Sequence, residues 1–428
     1  MFIHTVRSGE TLLSIAKQYR IRLNTIIQLN HIKNPAILVS GQSLIIPSRE
    51  HIHTVMPGEN LWLIAKKYRT TLQTLAEENK IKENSHIYPG QKIKIPANSK
   101  RFGTIEVNAF IEAKNTPNQC KLIRDLAPYI TYLCIFSYRI TKEGTVIDIN
   151  DEHLIATAFQ NNVAPLMVIS NYHNGIFDSD IVHCVLSDKS VQNKLIDNII
   201  NILKSKKYFG VNIDFEHVLA QDRKLLNSFL EHFKSKLKKY GILLTISVPP
   251  KYSDHHTAPR YTAYDYFSHG MTADRVILMT YEWGWFGGPP MPVSPSNQIK
   301  NVLDFAKATI PKYKVMMGIP LYGHDWQIPY CKDNPLANTV NPNEAIELAQ
   351  KHKTAIHFDT ISQTPYFNYL DENNNQHMVW FEDARSIRAK FEMVHQFDLG
   401  GISYWSMERP FPQNWHLLND LFRIKKVI

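Results

Sequence analysis

The sequence predicts an α/β protein that ends in a closed (β/α)8 barrel and begins with two small βααβ modules. Three observations lead to this prediction. Eight short apolar runs after residue 103 alternate with amphipathic, helix-like stretches, which is the pattern of parallel strands with helical crossovers. One crossover is long enough to hold an α+β subdomain of its own. The region before residue 103 contains an ungapped repeat, which indicates a duplicated structural unit.

The eight candidate strands belong to residues 104–428. They cover residues 105–110, 132–138, 165–170, 210–216, 243–248, 275–281, 314–320 and 401–405. The stretches between them, such as 191–204 and 224–240, have the apolar spacing of amphipathic helices. An open dinucleotide-binding sheet is the alternative, but no glycine-rich phosphate loop follows the first strand. A closed barrel therefore explains the pattern better.

The long crossover lies between Gly323 and Gly400. It contains helix-like stretches at 342–352 and 383–394 and short strand-like stretches at 356–359, 366–370 and 378–382. We therefore expect an α+β insertion at about residues 325–395. Such an insertion would stand as a wall above the mouth of the barrel.

Composition and charge exclude several classes of function. The 428 residues carry a net charge of +9, spread along the chain, and we find no basic stripe interleaved with aromatic residues, so no nucleic-acid partner is predicted. The four cysteines fit no CxxC spacing and the histidines form no ligand-like group, so we predict no metal and no cofactor. The N-terminus does not resemble a signal peptide, and no apolar run reaches the ~18 residues of a membrane span.

The repeat is visible in the opening of each copy. Residues 3–10 read IHTVRSGE and residues 52–59 read IHTVMPGE, and the match continues at an offset of 49 without a gap. Each copy reads as strand, helix, helix, strand, and ends in Ile-Pro, where the proline stops the strand. This pattern resembles the LysM domain. We assign domains to residues 1–48 and 51–97, with a polar linker at 98–103.

The resemblance implies that both modules bind glycans containing N-acetylglucosamine, such as peptidoglycan or chitin. It places the groove between the first strand–helix turn and the loop before the last strand. The implied residues are Gly9, Glu10, Thr11, Leu12, Asn30 and Ile32 in the first module, and Gly58, Glu59, Asn60, Leu61, Asn79 and Ile81 in the second. The alternative is that the repeat is only a stable spacer.

The run at residues 210–216, GVNIDFE, is where the sequence places the chemistry. Its apolar residues alternate with Asn212, Asp214 and Glu216, so these three share one face of a strand. Such a polar face is costly to bury unless it lines a cavity. Two neighbouring carboxyls repel when both are ionised, which keeps one protonated, as general acid catalysis requires. The plainer alternative is an edge strand with a solvated face.

Three motifs make the resemblance to a known family specific. The chain carries FGVNIDFE at 209–216, MTYE at 279–282 and a tryptophan at 405. Over about residues 103–428 this set resembles glycoside hydrolase family 18, which has DGxDxDxE on the fourth strand, MxYD on the sixth and a tryptophan on the eighth. Phe209 and Asn212 depart from that pattern, as does Glu282, and SNYH at 170–173 replaces the family's common SxGG.

The resemblance also implies roles for these residues. Glu216 would be the general acid and then the general base, and Asp214 would bond first Glu216 and then the acetamido nitrogen of the substrate. Tyr281 would hold the acetamido group, whose oxygen would be the nucleophile, so no second carboxylate is required. Trp405 would form the floor of the subsite. The other expected substrate contacts are Asn212, Glu282, Tyr322, Trp283 and Trp326.

These features together predict a glycosidase that cleaves β-1,4 bonds at N-acetylglucosamine and is anchored to its polymer by the modules. Peptidoglycan is favoured over chitin because the motif departs from the chitinase pattern and the domain order resembles bacterial spore cortex-lytic N-acetylglucosaminidases. That resemblance implies association with the spore coat or cortex after synthesis in the mother cell. A chitinase and a non-catalytic wall-binding lectin or coat protein are the alternatives. Exo or endo action, the need for muramic lactam and the oligomeric state stay open.

Overall fold

The computed structural model describes residues 1–47, 51–68, 70–95, 102–254 and 259–428. The chain forms two compact units. One comprises Met1–Thr104 with Pro412–Arg423, and the other comprises Ile105–Phe411 with Ile424–Ile428. The predicted linker at 98–103 lies outside the described residues except for its last two positions.

Each repeat folds as strand, helix, helix, strand. The elements are β1 (Phe2–Thr5), α1 (Leu12–Tyr19), α2 (Leu23–Leu29) and β2 (Ser43–Ile46), then β3 (His51–Thr54), α3 (Leu61–Lys67), α4 (Leu72–Glu78) and β4 (Lys92–Ile95). The two strands of each module pair antiparallel. The side chains of Thr11 and Asn60 cap α1 and α3 by accepting hydrogen bonds from backbone N–H groups. The apolar helix faces close a small core over each strand pair.

The barrel predicted from the sequence is confirmed. Its eight parallel strands are β5 (Thr104–Glu112), β6 (Tyr132–Ile140), β8 (Ala164–Ser170), β11 (Gly210–Asp214), β12 (Leu243–Val248), β13 (Arg275–Leu278), β14 (Val315–Pro320) and β20 (Gly401–Trp405). The sheet closes because β5 pairs with both β20 and β6. The short strands β7 (Val146–Ile147) and β21 (Arg423–Ile424) extend the sheet, and β9 (Tyr172–His173) pairs with β10 (Ile176–Phe177).

Helices connect the barrel strands, and the final helix follows the last of these strands. They are α5 (Pro117–Leu126), α6 (Glu152–Gln160), α7 (Ser179–Ser187), α8 (Lys189–Ser205), α9 (Arg223–Lys238), α10 (Pro259–Thr262), α11 (Tyr266–Thr272), α12 (Ser296–Thr309), α14 (Ala384–Gln396) and α15 (Pro412–Leu421). Short 3-10 turns lie at Ala127–Tyr129, Ala220–Asp222 and Lys312–Lys314. The side chains that α8 and α9 bury recur at helical spacing, as in Leu195, Ile199 and Leu203, which is why these stretches fold as helices against the sheet.

The α+β insertion is confirmed as well. Its five strands are β15 (Gly323–Ile328), β16 (Asn338–Val340), β17 (His357–Asp359), β18 (Thr364–Leu370) and β19 (Gln376–Trp380), and its helix is α13 (Pro342–Lys351). The strands form one antiparallel sheet in the order β16-β15-β19-β18-β17. A fully buried ion pair of 2.9 Å between Glu382 and Lys390 joins the end of this sheet to α14.

Two strands end earlier than the sequence predicts. The fourth barrel strand stops at Asp214 and the sixth at Leu278, instead of at residues 216 and 281. In the first case the N–H of Glu216 bonds to the side chain of Asn171 and leaves the ladder. In the second, the N–H groups of Thr280 and Tyr281 turn back to Leu278 and Met279. Both catalytic motifs therefore end in loops at the mouth of the barrel. None of the described helices is long and apolar enough to cross a membrane.

Candidate active site

The carboxyl end of β11 presents two acidic side chains. Asp214 is the last residue of the strand and only 5% exposed, while Glu216 follows in the loop and is partly exposed. Ser247, on the neighbouring strand, forms a side-chain hydrogen bond with Asp214. The other carboxylate oxygen of Asp214, Oδ1, is buried without a hydrogen-bond partner among the described residues. That oxygen is available to a donor from a substrate.

The backbone of Glu216 is held by Asn171, which follows the third barrel strand. Asn171 is fully buried, and its Oδ1 accepts the N–H of Glu216 at 2.9 Å. Its Nδ2 donates to the carbonyl of Glu216 at 2.9 Å and to that of Asp178 at 3.0 Å. One amide group therefore fixes both backbone polar groups of Glu216. The sequence analysis noted only that this position departs from the family pattern.

Tyr264 holds the same loop from another side. Its hydroxyl, in a buried side chain, donates to the carbonyl of Phe215 at 2.7 Å and lies 3.5 Å from the N–H of Val218. Sequence reasoning missed this residue, since nothing at position 264 marks a partner 49 positions earlier. Asn171 could have been found, because it directly follows a barrel strand at the end where active sites form.

Burial controls the protonation of the acidic pair. Desolvation raises the pKa of Asp214 to about 7, against a partial lowering by its hydrogen bond with Ser247. Desolvation also raises the pKa of Glu216 well above its ordinary value, and the negative charges of Asp214 and Glu282 raise it further. Both effects favour the protonated form of Glu216, which is the form a general acid uses.

Asn212 lies one layer below this pair and does not face the cleft. It is fully buried, donates to the hydroxyl of Thr245 at 2.8 Å, and lies 3.2 Å from the hydroxyl of Ser247. We expected Asn212 to contact substrate. Because its side chain is fully buried and bonded to Thr245 and Ser247, it supports these two side chains instead of touching a ligand.

The loop after β13 brings Tyr281 and Glu282 towards the two carboxyls. Gly318 makes room for Tyr281, because a Cβ at that glycine would lie 2.8 Å from the Tyr281 ring. Burial raises the pKa of the Tyr281 phenol, as do the charges of Asp214, Glu216 and Glu282, so it stays a hydrogen-bond donor. Tyr281 therefore lies close enough to all three acids for their charges to act on its phenol.

Glu282 is exposed, yet protein groups surround its carboxyl closely enough for desolvation to raise its pKa. The hydroxyl of Tyr322, a buried side chain, donates to Glu282 Oε1. Glu282 also has a left-handed backbone, with φ +65°. Tyr322 therefore orients the carboxyl that replaces the shorter aspartate expected from the family motif.

The expected tryptophans occupy different environments. Trp405 is partly exposed and packs edge-on against Phe110 and Phe136, with ring centroids 5.5 and 5.2 Å away. Trp283 is also partly exposed. Trp326, which we expected to contact substrate, is only 2% exposed and packs against His324, so its indole belongs to the interior. Sequence reasoning assigned no role to Trp285, which is 47% exposed on the loop after β13.

In the repeats, Gly9 and Gly58 form the expected turn with φ of +80° and +86°, which favours glycine. Glu10 accepts the N–H of Arg7 at 2.7 Å and lies 2.9 Å from His4 Nε2, while His4 Nδ1 lies 3.1 Å from the hydroxyl of Tyr19. His53, Glu59 and Tyr68 repeat this arrangement in the second module. The backbone N–H of Arg7 and the side chain of His4 lower the pKa of Glu10. Both glutamates therefore brace the turn.

Several other expected groove residues point inwards. Leu12 and Leu61 are core side chains, each 3% exposed, and Ile32 and Ile81 pack against the same cores. The side-chain amides of Asn30 and Asn79 bond to backbone groups of their own modules at 2.7–2.9 Å. Thr11 and Asn60 remain exposed as helix caps. The aromatic side chains Trp62 and Tyr88 of the second module, missed from the sequence, are 55% and 70% exposed.

No group of three His, Cys, Asp or Glu side chains in the described part of the chain is arranged to hold a metal ion. The arrangement at the barrel mouth is instead a buried acid, a second carboxyl beside it, a tyrosine donor and aromatic walls. Such a site can protonate a leaving oxygen and bind a polar sugar substituent next to the reacting carbon.

Comparisons with known proteins agree with this geometry. The family model for glycosyl hydrolases family 18 matches residues 110–409, and the model for the LysM domain matches residues 4–47 and 53–96. The chain is 44% identical over 429 residues to the cortical fragment-lytic enzyme of Bacillus subtilis (strain 168), with 100% of this chain and 99% of that protein covered.

Solved structures show the same relationship. The spore cortex-lytic enzyme SleL of Bacillus megaterium QM B1551 superposes with a TM-score of 0.87 at 37% identity, covering 100% of this chain and 99% of that one. A chitinase of Chromobacterium violaceum matches 74% of this chain and 98% of its own, at 25% identity and a TM-score of 0.68. The chain therefore belongs to glycosyl hydrolase family 18, and its barrel follows two LysM domains.

Proposed function

We propose that this glycosidase cleaves β-1,4 bonds at N-acetylglucosamine in peptidoglycan, specifically that of the bacterial spore cortex. The observation that carries the chemistry is the desolvated pair of Asp214 and Glu216, in which burial and the charge of Asp214 raise the pKa of Glu216 well above its ordinary value. The choice of polymer is supported by the names of the full-length relatives, a cortical fragment-lytic enzyme and a spore cortex-lytic enzyme. Two LysM domains are consistent with an insoluble glycan substrate.

In the first step Glu216 donates its proton to the glycosidic oxygen. The bond between that oxygen and the anomeric carbon breaks, and the 2-acetamido oxygen of the substrate forms a new bond to the same carbon. Substrate-assisted attack of this kind is the recognised exception to the use of two carboxylates in glycoside hydrolysis. The leaving sugar departs with the proton, and Glu216 becomes a carboxylate.

Asp214 and Tyr281 orient the acetamido group. The unpartnered Oδ1 of Asp214 accepts the acetamido N–H, which increases electron density on the attacking oxygen. The phenol of Tyr281 donates to that oxygen and holds it below the anomeric carbon. Water then attacks the anomeric carbon while Glu216 takes its proton, and the bond between that carbon and the acetamido oxygen breaks. The acetamido group and the acid are both regenerated, and the configuration is retained. Trp405 and Trp283 form apolar surfaces for sugar rings, and Glu282 with Tyr322 binds a neighbouring hydroxyl.

The spore assignment also bears on location. The names of the relatives given above refer to the spore cortex. We propose that the chain is made in the mother cell and assembled into the spore coat or cortex layer. Its LysM domains would then hold it at the polymer until germination.

Release of reducing sugar from purified cortex peptidoglycan and from chitin tests the assignment. We expect release from peptidoglycan, and Glu216→Gln should lower the rate by about 10²–10⁴ because the amide has no proton to give. The control Glu231→Gln, on the outer helix α9, should keep full activity.

Three other results would each reject a part of the proposal. Faster release from chitin would favour a chitinase, the candidate that the Chromobacterium structure supports. Binding without release from either polymer would favour a lectin or coat protein. Full activity of Glu216→Gln would show that the acid has been misassigned.

A further inference from the structure

The positive charge of the chain resides in its N-terminal part. Residues 1–103 contain 15 lysines and arginines against 6 acidic residues, whereas residues 104–428 contain 33 of each. The net charge of +9 therefore belongs to the LysM region and its linker, and the remainder is neutral. The charge is therefore not spread along the chain, as we expected from the sequence, but concentrated in one part of it. A charge excess confined to the glycan-binding region points to an anionic partner there.

In the first LysM domain, the outward face of the strand pair is covered. Ser43 and Ile45, on β2, are 2% and 0% exposed. Gln413 of α15 donates to the carbonyl of Ser43 at 3.0 Å and to Asn30 Oδ1 at 2.7 Å. His31, next to Asn30, lies near enough to α15 to help lower the pKa of His416, which is lowered mainly by burial. Helix α15 therefore occupies this face.

In the second LysM domain, the same face carries lysines. At the repeat offset of 49, His31, Ser43 and Ile45 correspond to Lys80, Lys92 and Lys94, and all three lysines are exposed. Ile52, paired with Lys94 across the strands, is 49% exposed. Three positions on the covered side of the first domain are thus solvent-exposed lysines in the second, while Asn30, which also bonds to α15, corresponds to Asn79.

The three lysines lie close together. Lys92 and Lys94 alternate outwards on β4, because Ile93 between them is buried. The side chain of Asn79 bonds to both the N–H and the carbonyl of Lys94 at 2.7 Å, and Lys80 directly follows Asn79. We name Ile52, Lys80, Lys92 and Lys94 the lysine face. Ile52, Lys92 and Lys94 lie on the strand pair and not at the turn after β3, where the expected groove begins, and Lys80 lies beside them between Asn79 and Ile81.

We propose that the lysine face is a second binding surface, one that takes carboxylate groups of the wall polymer. The inference rests on the proposed function and deepens it. Peptidoglycan carries free carboxylates on its stem peptides, whereas chitin carries none. Ammonium groups attract such carboxylates, and Ile52 adds an apolar contact for the sugar or peptide between them. The face would therefore direct the enzyme to an anionic glycan and away from a neutral one.

The test compares binding to three insoluble polymers by sedimentation. They are purified peptidoglycan, the same peptidoglycan with its carboxylates converted to neutral amides, and chitin. The full chain is used with Glu216→Gln to prevent hydrolysis. We expect Lys80→Gln/Lys92→Gln/Lys94→Gln to lower affinity for native peptidoglycan about tenfold at low salt, as several exposed ion pairs together contribute. Its affinity for the amidated polymer and for chitin should equal that of the parent.

Two matched variants separate the lysine face from net charge. Lys80→Arg/Lys92→Arg/Lys94→Arg keeps the charge and should keep the affinity. Lys121→Gln/Lys238→Gln/Lys307→Gln removes the same charge from exposed positions outside the LysM domains and should change nothing. Added salt should remove the advantage of the parent over the glutamine variant, because exposed charges are screened within about 10 Å at 0.1 M salt.

Three outcomes would overturn the proposal. They are an equal loss on chitin or amidated peptidoglycan, a similar loss in the control outside the LysM domains, and no loss at all. If the lysines served nucleic acid instead, the glutamine variant would lose affinity for duplex DNA and keep its affinity for the wall. The proposed function is tested separately, by measuring hydrolysis of short soluble fragments by the same variants with Glu216 restored. If none of these variants hydrolysed the fragments, the proposed function would be rejected, but the lysine face would not.

Discussion

The pKa of Glu216 is raised because three effects act in the same direction. The strand end removes it from water, Asp214 places a negative charge beside it, and Glu282 places a second one nearby. Desolvation is the largest of these effects. Each neighbour can be neutralised by one substitution, so the contribution of each charge to the acid can be measured.

Asp214→Asn should move the alkaline limb of the pH profile to lower pH. Without the charge of Asp214, Glu216 loses its proton more easily, so activity should fall about one pH unit earlier as the pH rises. The measurement is kcat/KM against pH on short soluble fragments, where the modules have little influence. The maximum rate should also fall, because the acetamido group loses its acceptor.

Glu282→Gln is the matched variant for this experiment. It removes the more weakly acting charge, so it should shift the same limb in the same direction by less. An alkaline limb that stays in place in both variants, or moves to higher pH, would show that these charges do not govern the proton of Glu216.

At the scale of elements, the loop after β11 is positioned by two neighbouring parts of the barrel. Asn171, after β8, bonds to the N–H and the carbonyl of Glu216, and Tyr264, before α11, bonds to the carbonyl of Phe215. Glu216 lies beyond the last residue of the strand, so the sheet ladder does not hold it. We infer that Asn171 is a positioning residue, since it acts on the backbone of the acid and not on the substrate.

Asn171→Ala should therefore lower kcat by about ten- to a hundredfold, because small displacements of a catalytic group are costly, and leave KM nearly unchanged. Asn171→Asp keeps the acceptor for the Glu216 N–H, but it loses both donors and adds a charge. It should raise the alkaline limit of activity by making Glu216 harder to deprotonate. Steady-state kinetics across pH measure both effects.

Asn198→Ala serves as the control for a merely structural role. Asn198, on α8, also donates to a loop carbonyl, that of Gly144 at 2.9 Å, but outside the active site. It should lower the melting temperature with little effect on kcat. If Asn171→Ala lowered kcat no more than this control does, the positioning role would be rejected.

At the scale of the whole molecule, the buried carboxyl of Asp214 makes the free energy of unfolding decrease as the pH rises. The pKa of Asp214 is 3.8 in its reference state and about 7 in the fold, so the folded chain binds this proton more tightly than the unfolded chain. The resulting stabilisation is complete below pH 3.8 and is lost as the pH rises through 7. For a group this buried, the loss is on the order of 2–4 kcal/mol.

Asp214→Asn removes this dependence, because its amide does not ionise. The variant should melt at a higher temperature than the parent at pH 8, and the difference should shrink towards pH 4.5. Asp398→Asn should instead melt at a lower temperature than the parent at pH 8. The hydrogen bond with Lys312 lowers the pKa of Asp398, so ionisation of this group favours the fold at high pH. A difference for Asp214→Asn that did not change with pH would contradict the linkage.

Much of the architecture could be predicted from local patterns. The alternation around Asp214 and Glu216 predicted a strand with one polar face, and the offset of 49 predicted two equivalent modules. Prediction was weaker where a side chain had to be assigned a direction. Asn212 and Trp326 were expected in the cleft, and both point into the interior. Periodicity says which residues share a face, but not how deep that face is buried.

By itself, the sequence determined the repeat, the number of barrel strands and the placement of the acids at a strand end. These features depend on spacing along the chain, which a strand or a duplicated module preserves. Tertiary structure decided that Asn171 and Tyr264 hold Glu216, that burial raises its pKa, and that one module is covered where the other exposes the lysine face. Those outcomes depend on contacts between segments that are distant in sequence. Both the desolvation of a side chain and the hydrogen bonding of a loop backbone are set by the packing around them, which residue spacing does not specify.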